Sequence, residues 1–186
     1  KGNLWVQILE KAYAKNYGSY YLISQIKTES ILRDFTYAPV VIYDQLMENK
    51  DNMENDIKKI FLEAQDKGWI IMAGAGDTEA SEKLLADIGL KSNTDYEIVK
   101  VHELTDEDIN KIKEKSLCDP LNEDYRIVLQ IRNIWGDIDW VGDWSKYSGL
   151  WEIIKEFKKC DGFFYMNLID FQNLYSKVKI CKYHNQ

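Results

Sequence analysis

The groups best suited to chemistry crowd into residues 130–144, which read Gln-Ile-Arg-Asn-Ile-Trp-Gly-Asp-Ile-Asp-Trp-Val-Gly-Asp-Trp. Carboxylates, an amide, a guanidinium and indoles are groups that binding and catalytic sites use. Packing in a strand explains residues 128–131, but the three tryptophans and two glycines that follow are an unusual way merely to fill volume. The stretch therefore predicts a shaped loop rather than a plain connection between core elements.

The chain has three cysteines, and their number and spacing indicate which thiol sites it can form. Cys118, Cys160 and Cys181 are odd in number and far apart, which is typical of neither a disulfide framework nor a zinc knuckle. They are interpreted as reduced thiols of an intracellular protein.

Composition indicates a folded, globular protein, since 45% of the 186 residues are hydrophobic and 30% are charged. The length predicts one domain over residues 1–186. The net charge of −7 and the lack of long basic runs predict no nucleic-acid partner. No apolar run of about 18 residues exists, so no membrane span is predicted. Because the chain starts Lys-Gly-Asn-Leu-Trp without a methionine, we expect a fragment of a longer polypeptide.

Hydrophobic periodicity predicts the elements that must position the Trp-rich loop. Helices are predicted from residue 4 to a stop at Gly18, from residues 51–52 to Gly68, and over 78–87, 105–112, 150–157 and 168–175. Strands are predicted over residues 39–43, 69–72, 96–101, 125–131, 163–166 and 177–183. Thr105 and Asp108 form a capping-box pattern at the start of their helix.

The predicted fold class is α+β, with mainly antiparallel β-sheets and flanking helices. Strands here do not alternate regularly with helices as they do in βαβ units, which disfavours a doubly wound parallel sheet. Residues 74–76, Gly-Ala-Gly, are predicted to form a loop. This loop does not indicate phosphate binding, because no Gly-Lys-Ser/Thr follows it.

Four sequence elements, taken in order, resemble those of the calpain-type cysteine proteases. They are Leu-Glu-Lys-Ala-Tyr-Ala-Lys at 9–15 with Gly-Ser-Tyr at 18–20; Leu-Arg-Asp-Phe-Thr at 32–36 with Ala-Pro at 38–39; Arg-Asn-Ile-Trp-Gly at 132–136 with Asp139, Trp140, Gly142 and Trp144; and Asp-Gly-Phe-Phe-Tyr-Met at 161–166 with Asp170-Phe171. The third is similar to the family's Arg-Asn-Pro-Trp-Gly, with Ile134 in place of proline. The resemblance covers nearly the whole chain and implies the fold of the second of the two subdomains that form the calpain protease core.

Catalysis in this family needs a Cys nucleophile, a His that takes its proton and an Asn that orients the imidazole. The resemblance places Asn133 at the orienting position and Trp135 where a tryptophan shields the Asn–His hydrogen bond. The Cys belongs to the preceding subdomain, in a Gln-Gly…Cys-Trp type signature, and this chain contains no such signature. The nucleophile is therefore absent here.

The family's His lies in a Gly-Leu-x-x-Gly-His-Ala-Tyr stretch. Aligning Gly89-Leu90 and Tyr96 without a gap puts Thr94 at the His position and Asp95 at the Ala position. Threonine cannot act as a base near neutral pH. His102 lies eight residues further on, roughly 26 Å along a strand, so we interpret it as a structural or surface histidine.

Calpain second subdomains also carry a calcium site. The site is built from acidic side chains, because a hard cation needs several oxygen ligands. The resemblance assigns Asp139 and Asp161 to two acidic positions, whereas Lys146 and Phe163 occupy two others. Replacing a carboxylate by an ammonium removes a ligand and adds a repelling charge. We therefore expect no cofactor and a lost calcium site. A rearranged calcium site would have to use Asp137, Asp139, Asp143 or Asp161.

The leading interpretation is a catalytically inactive calpain-like domain, a pseudo-protease that serves as an interaction or scaffold module. The resemblance implies a larger intracellular, cytoplasmic protein of a cytoskeletal or ciliary kind, whose partners are its own other domains and other proteins of an assembly. One alternative is half of a calpain-type endopeptidase, completed by a Cys-bearing subdomain upstream or on another chain. Another alternative is a calcium-binding regulatory module.

Overall fold

The computed structural model describes residues 4–44, 50–76, 79–114, 123–134, 140–153 and 162–183. The chain divides into two compact units, Lys1–Tyr37 and Ala38–Gln186. The single domain predicted over residues 1–186 stays a prediction.

No helix within the described residues is both long and apolar enough to span a membrane.

The first unit is helical and consists of α1 (Leu4–Tyr17), α2 (Tyr20–Ile23) and α3 (Thr28–Thr36). The break between α1 and α2 follows from Gly18, whose φ of 105° a residue with a side chain rarely adopts. Ser19 then caps α2, because its Oγ accepts a hydrogen bond from the N–H of Leu22 at 3.2 Å. Only α1 was predicted from the sequence.

The second unit is built on one six-stranded sheet in the order β1-β6-β2-β3-β4-β5. Its strands are β1 (Val40–Asp44), β2 (Ile70–Ala75), β3 (Thr94–Glu103), β4 (Ile127–Arg132), β5 (Phe163–Asn167) and β6 (Tyr175–Cys181). The flanking helices are α4 (Lys50–Asp66), α5 (Glu79–Asp87), α6 (Asp106–Glu114), α7 (Leu150–Ile153) and α8 (Leu168–Leu174), with a short 3-10 helix at Glu123–Arg126. Every strand pair is antiparallel, which confirms the predicted α+β class.

The core lies on both faces of this sheet, because successive strand residues point to opposite sides. The main cluster combines strand residues of one face with apolar residues of α4, α5 and α8. Its members include Phe61, Leu85, Tyr96, Leu129, Ile131, Phe171 and Val178. Val128 and Tyr165 join a second cluster with α6, α7 and Trp144. Both clusters fix β4, the strand that leads into the Trp-rich loop.

The loop predicted at residues 74–76 is wrong for its first two residues. Gly74 and Ala75 belong to β2, where Gly74 pairs with Asp95 of β3 and with Lys177 of β6. Pairing on both sides, together with burial of the Ala75 side chain, overrides the turn preference of a Gly-Ala-Gly sequence.

Candidate active site

The two predicted triad positions that the structure describes lie at the same end of the sheet. Thr94 is the first residue of β3, and Asn133 directly follows β4. The two strands are antiparallel neighbours with Ile98 opposite Ile131. Extending this antiparallel register by two residues places Asn133 opposite Tyr96. Tyr96 and Thr94 are two positions apart in β3, so all three side chains lie on the same face of the sheet. The sheet therefore brings the two positions together.

Asn133 stays in line with the sheet. Its N–H donates to the carbonyl oxygen of Gly162 at 2.8 Å, which continues the pairing of Arg132 with Phe163. The side chain is half-buried. Trp135, the predicted shield, lies outside the described residues.

Thr94 is half-buried opposite Ala75. Its hydroxyl donates to the carbonyl oxygen of Ser92 at 3.1 Å. The side chain at the predicted base position is thus a short alcohol turned to the neighbouring main chain, and an alcohol cannot take a proton from a thiol near neutral pH.

Asn93, directly before Thr94, has a left-handed backbone conformation. Asn93 has a φ of 50°, and its N–H lies within hydrogen-bonding distance of the carbonyl oxygens of Ala75 at 3.1 Å and Gly76 at 3.0 Å. The matching family stretch has glycine directly before its His, and glycine is the residue that adopts a left-handed backbone most easily. Asparagine tolerates this conformation better than most residues.

Tyr96 lies next to these positions, two residues from Thr94 in β3. It is fully buried, and its ring packs edge-on against Phe164 and Tyr175, with ring centroids 5.9 Å apart in both cases. Burial raises the pKa of its phenol. The hydroxyl accepts a hydrogen bond from the N–H of Lys91 at 2.9 Å. Tyr96 therefore fixes the turn that carries Thr94.

A partly buried ion pair on the other face of β3 was not predicted. Lys179 Nζ lies 2.6 Å from Asp95 Oδ2, and the two side chains are only 12% and 16% exposed. Asp95 occupies the position that the resemblance assigns to alanine. That substitution was the only sequence signal, because the Lys179 partner depends on strand order rather than on spacing.

His102 lies at the far end of β3 from Thr94. It is half-buried, with its ring centroid 6.1 Å from that of Tyr165. Burial, and then the charge of Lys100, lower its pKa, although a side-chain hydrogen bond with Gln130 opposes the shift. Cys181 is buried in β6. Cys118, Cys160 and His184 lie outside the described residues.

Two of the predicted calcium positions do not fit a calcium ion. Lys146 places its ammonium 5.6 Å from the ring centroid of Tyr147. Phe163 carries no ligand atom, and the Arg132 guanidinium carbon lies 5.3 Å from its ring centroid. Neither side chain offers oxygen, and the Lys146 ammonium adds a positive charge. Of the carboxylates predicted for a rearranged site, Asp143 is described and accepts a hydrogen bond from Tyr125, whereas Asp137, Asp139 and Asp161 lie outside the described residues.

The described part of the Trp-rich loop is packed into the protein. Trp140 belongs to the main cluster, and its Nε1 donates to the carbonyl oxygen of Asp143 at 3.0 Å. Trp144 is buried and packs edge-on against Trp151, with ring centroids 5.5 Å apart. The Asp143 carboxylate accepts a hydrogen bond from the hydroxyl of Tyr125 at 2.9 Å. These contacts anchor the loop that leaves the sheet at Asn133.

Comparisons with known proteins agree with this architecture. A family model described as calpain family cysteine protease matches residues 1–182. The chain is similar to Calpain-14 of Homo sapiens, at 31% identity over 98% of this chain and 24% of the relative. It is also similar to Calpain-8 of Mus musculus, at 29% identity over 97% and 24%, and to Calpain-B of Drosophila melanogaster, at 30% identity over 97% and 19%.

The chain thus spans about a quarter of the length of these relatives, or less. The match nonetheless runs through both compact units and includes β3 and β4, the strands that lead to Thr94 and Asn133. The chain belongs to the calpain family of cysteine proteases.

Proposed function

We propose that this chain is a catalytically inactive calpain domain that serves as an interaction or scaffold module within a larger intracellular protein. The proposal rests on Thr94, which lies at the same end of the sheet as Asn133 and which the family resemblance assigns to the His position. Without an imidazole at this point no group takes the proton of a thiol nucleophile. The calpain fold then serves binding rather than peptide cleavage.

The exposed face of α1 supports a binding role. Leu4, Trp5, Ile8 and Leu9 recur at helical spacing and share one side of the helix. Their exposures are high, with Leu4 at 69%, Trp5 at 64% and Ile8 at 66%. Contiguous apolar surface of this kind marks contact with another protein surface. We assign this face to a neighbouring domain of the same polypeptide or to another protein of an assembly.

The cellular setting belongs to the same proposal. Calpain-like domains without a complete triad are found in large cytoskeletal and ciliary proteins. A cytoplasmic scaffold of that kind fits a chain with an altered site and an apolar helix face.

The variant Thr94→His tests the proposed inactivity. A His alone restores no peptidase activity to this chain, because the Cys nucleophile is still missing. Turnover of a fluorogenic calpain peptide is measured with calcium, beside an intact calpain as positive control and Thr28→His as matched control. Turnover by Thr94→His that Thr28→His lacks would contradict the proposal.

A second candidate is one half of a calpain-type endopeptidase, completed by a Cys-bearing subdomain upstream or on another chain. It is favoured by the exposed face of α1 together with the short span of the chain relative to its relatives. A Gln-Gly…Cys-Trp signature in the sequence before Lys1 would support it. The discriminating measurement is peptidase activity of the longer polypeptide: calcium-dependent turnover with Thr94 in place favours this candidate, and its absence favours the scaffold.

A further inference from the structure

A cavity opens between β2 and β3, at the end of β3 far from Thr94. The two strands pair only as far as Ile71 and Ile98, whereas β3 continues to Glu103. A β-bulge at Val99 shifts the register with β4 at the same level. The resulting cavity has a volume of about 250 Å³. It lies below the usual range for drug-sized ligands and suits a ligand the size of one amino acid.

Gln65 supplies a hydrogen-bonding group to this cavity. Its Oε1 accepts the N–H of Val101 at 2.6 Å, which satisfies a backbone donor next to the bulge. The carboxamide NH₂ of the same side chain is the donor that Gln65 offers to the cavity, and no described residue accepts a hydrogen bond from it.

Lys100 also lines this cavity and carries a positive charge. Glu97 also lines the cavity, but Arg132 Nε binds its carboxylate at 2.5 Å. Among the described residues Lys100 has no carboxylate within salt-bridge distance. A ligand in the cavity therefore lies near the positive charge of Lys100, while the negative charge of Glu97 is balanced by Arg132.

Trp69 gives the cavity an apolar wall, and two lysine side chains lie close to its ring. The ammonium groups of Lys67 and Lys182 lie 4.7 Å and 4.8 Å from its ring centroid. Among the described residues, Lys67 pairs with the carboxylate of Glu63, and the charge of Lys182 also acts on that carboxylate. On a protein with a net charge of −7, this patch favours an anion.

We propose that this cavity binds the carboxylate of a small apolar acid. Lys100 and the Gln65 carboxamide hold the carboxylate, and the apolar part packs on Trp69, Ile71 and Ile98. The ligand is either a free acid or the C-terminal residue of a peptide, and only the peptide case rests on the proposed interaction role.

The test is a titration of the protein with N-acetyl-leucine and with N-acetyl-leucinamide, followed by two-dimensional NMR. The acid is expected to shift the signals of residues 99–101 and of the Trp69 indole saturably. Lys100→Gln should weaken that binding by roughly three- to tenfold, as expected for loss of one charged hydrogen bond at an exposed position. Lys113→Gln, on α6, is the matched control and should leave the affinity unchanged.

A blocked tetrapeptide ending in leucine distinguishes the two sources. Tighter binding than N-acetyl-leucine identifies a peptide terminus, and equal binding identifies a free acid. Equal binding of the acid and its amide would overturn the proposal, as would an unchanged affinity in Lys100→Gln or a lack of saturable shifts. None of these outcomes bears on the proposed inactivity, which is read from peptide turnover.

Discussion

At the scale of single residues, Gly74 shows how one position supports an ion pair between strands that are not neighbours. Strands β3 and β6 each pair with β2, so Asp95 and Lys179 can meet only above β2. A Cβ at Gly74 would lie 2.9 Å from Asp95 Oδ1, which is too close for van der Waals contact. The missing side chain leaves the space that the carboxylate uses.

The substitution Gly74→Ala should therefore destabilise the protein by about 1–2 kcal/mol, since it crowds Asp95 away from Lys179. In an Asp95→Ala background the crowding is gone. The same substitution should then stabilise the strand by about 0.5–1 kcal/mol. Urea unfolding of the four proteins gives the free energies, and a Gly74→Ala effect of the same sign in both backgrounds would refute this account.

At the scale of elements, α6 illustrates a helix whose start is fixed by its own side chains. Thr105 Oγ1 accepts the N–H of Asp108 at 3.2 Å, and Asp108 Oδ2 accepts the N–H of Thr105 at 3.0 Å. This is the predicted capping box. The helix then buries Ile109 and Ile112 in the second cluster, which also holds Trp144.

Removing the cap should cost stability without changing the fold. Thr105→Ala is expected to lower the free energy of unfolding by about 1 kcal/mol, because the N–H of Asp108 loses its acceptor and the Asp108 carboxylate loses the Thr105 hydroxyl. Thr105→Ser keeps a hydroxyl and should retain most of the stability. Chemical denaturation followed by circular dichroism measures both variants, and equal losses would show that the hydroxyl is not the cause.

At the scale of the whole molecule, the sequence predicted what depends on local patterns. The strands, the capping box and the α+β class follow from periodicity and turn residues. Helix α2 was missed because it has only four residues and depends on a cap at Ser19 rather than on an apolar repeat. Helix α3 was missed because the residue before it, Lys27, makes no side-chain capping bond that would mark its start. The proximity of Thr94 and Asn133 was implied by family resemblance, and the register of β3 and β4 provides it.

The Asp95–Lys179 pair could not be predicted in the same way. The two residues are 84 positions apart in the chain. Their contact requires the order β6-β2-β3, which no spacing in the sequence reveals. Contacts that depend on the order of distant strands therefore could not be predicted from the sequence.

Calcium binding is a property of the whole fold, because its predicted ligands come from separate segments. With Lys146 and Phe163 at two ligand positions, calorimetric titration with calcium should give no binding heat and the melting temperature should not rise. The double variant Lys146→Asp with Phe163→Glu returns two carboxylates and is the matched comparison. Saturable heat from the unmodified chain would favour the calcium-binding alternative instead.

The exposed apolar face of α1 also has a consequence for the amount of this protein in a cell. Leu4, Trp5 and Ile8 present apolar surface of the kind that chaperones and proteases recognise. Under the proposed interaction role, copies made without the partner surface that covers this helix would be retained by chaperones or degraded. The abundance of the protein would then follow the supply of its partner, much as an orphan subunit is cleared until its complex can form.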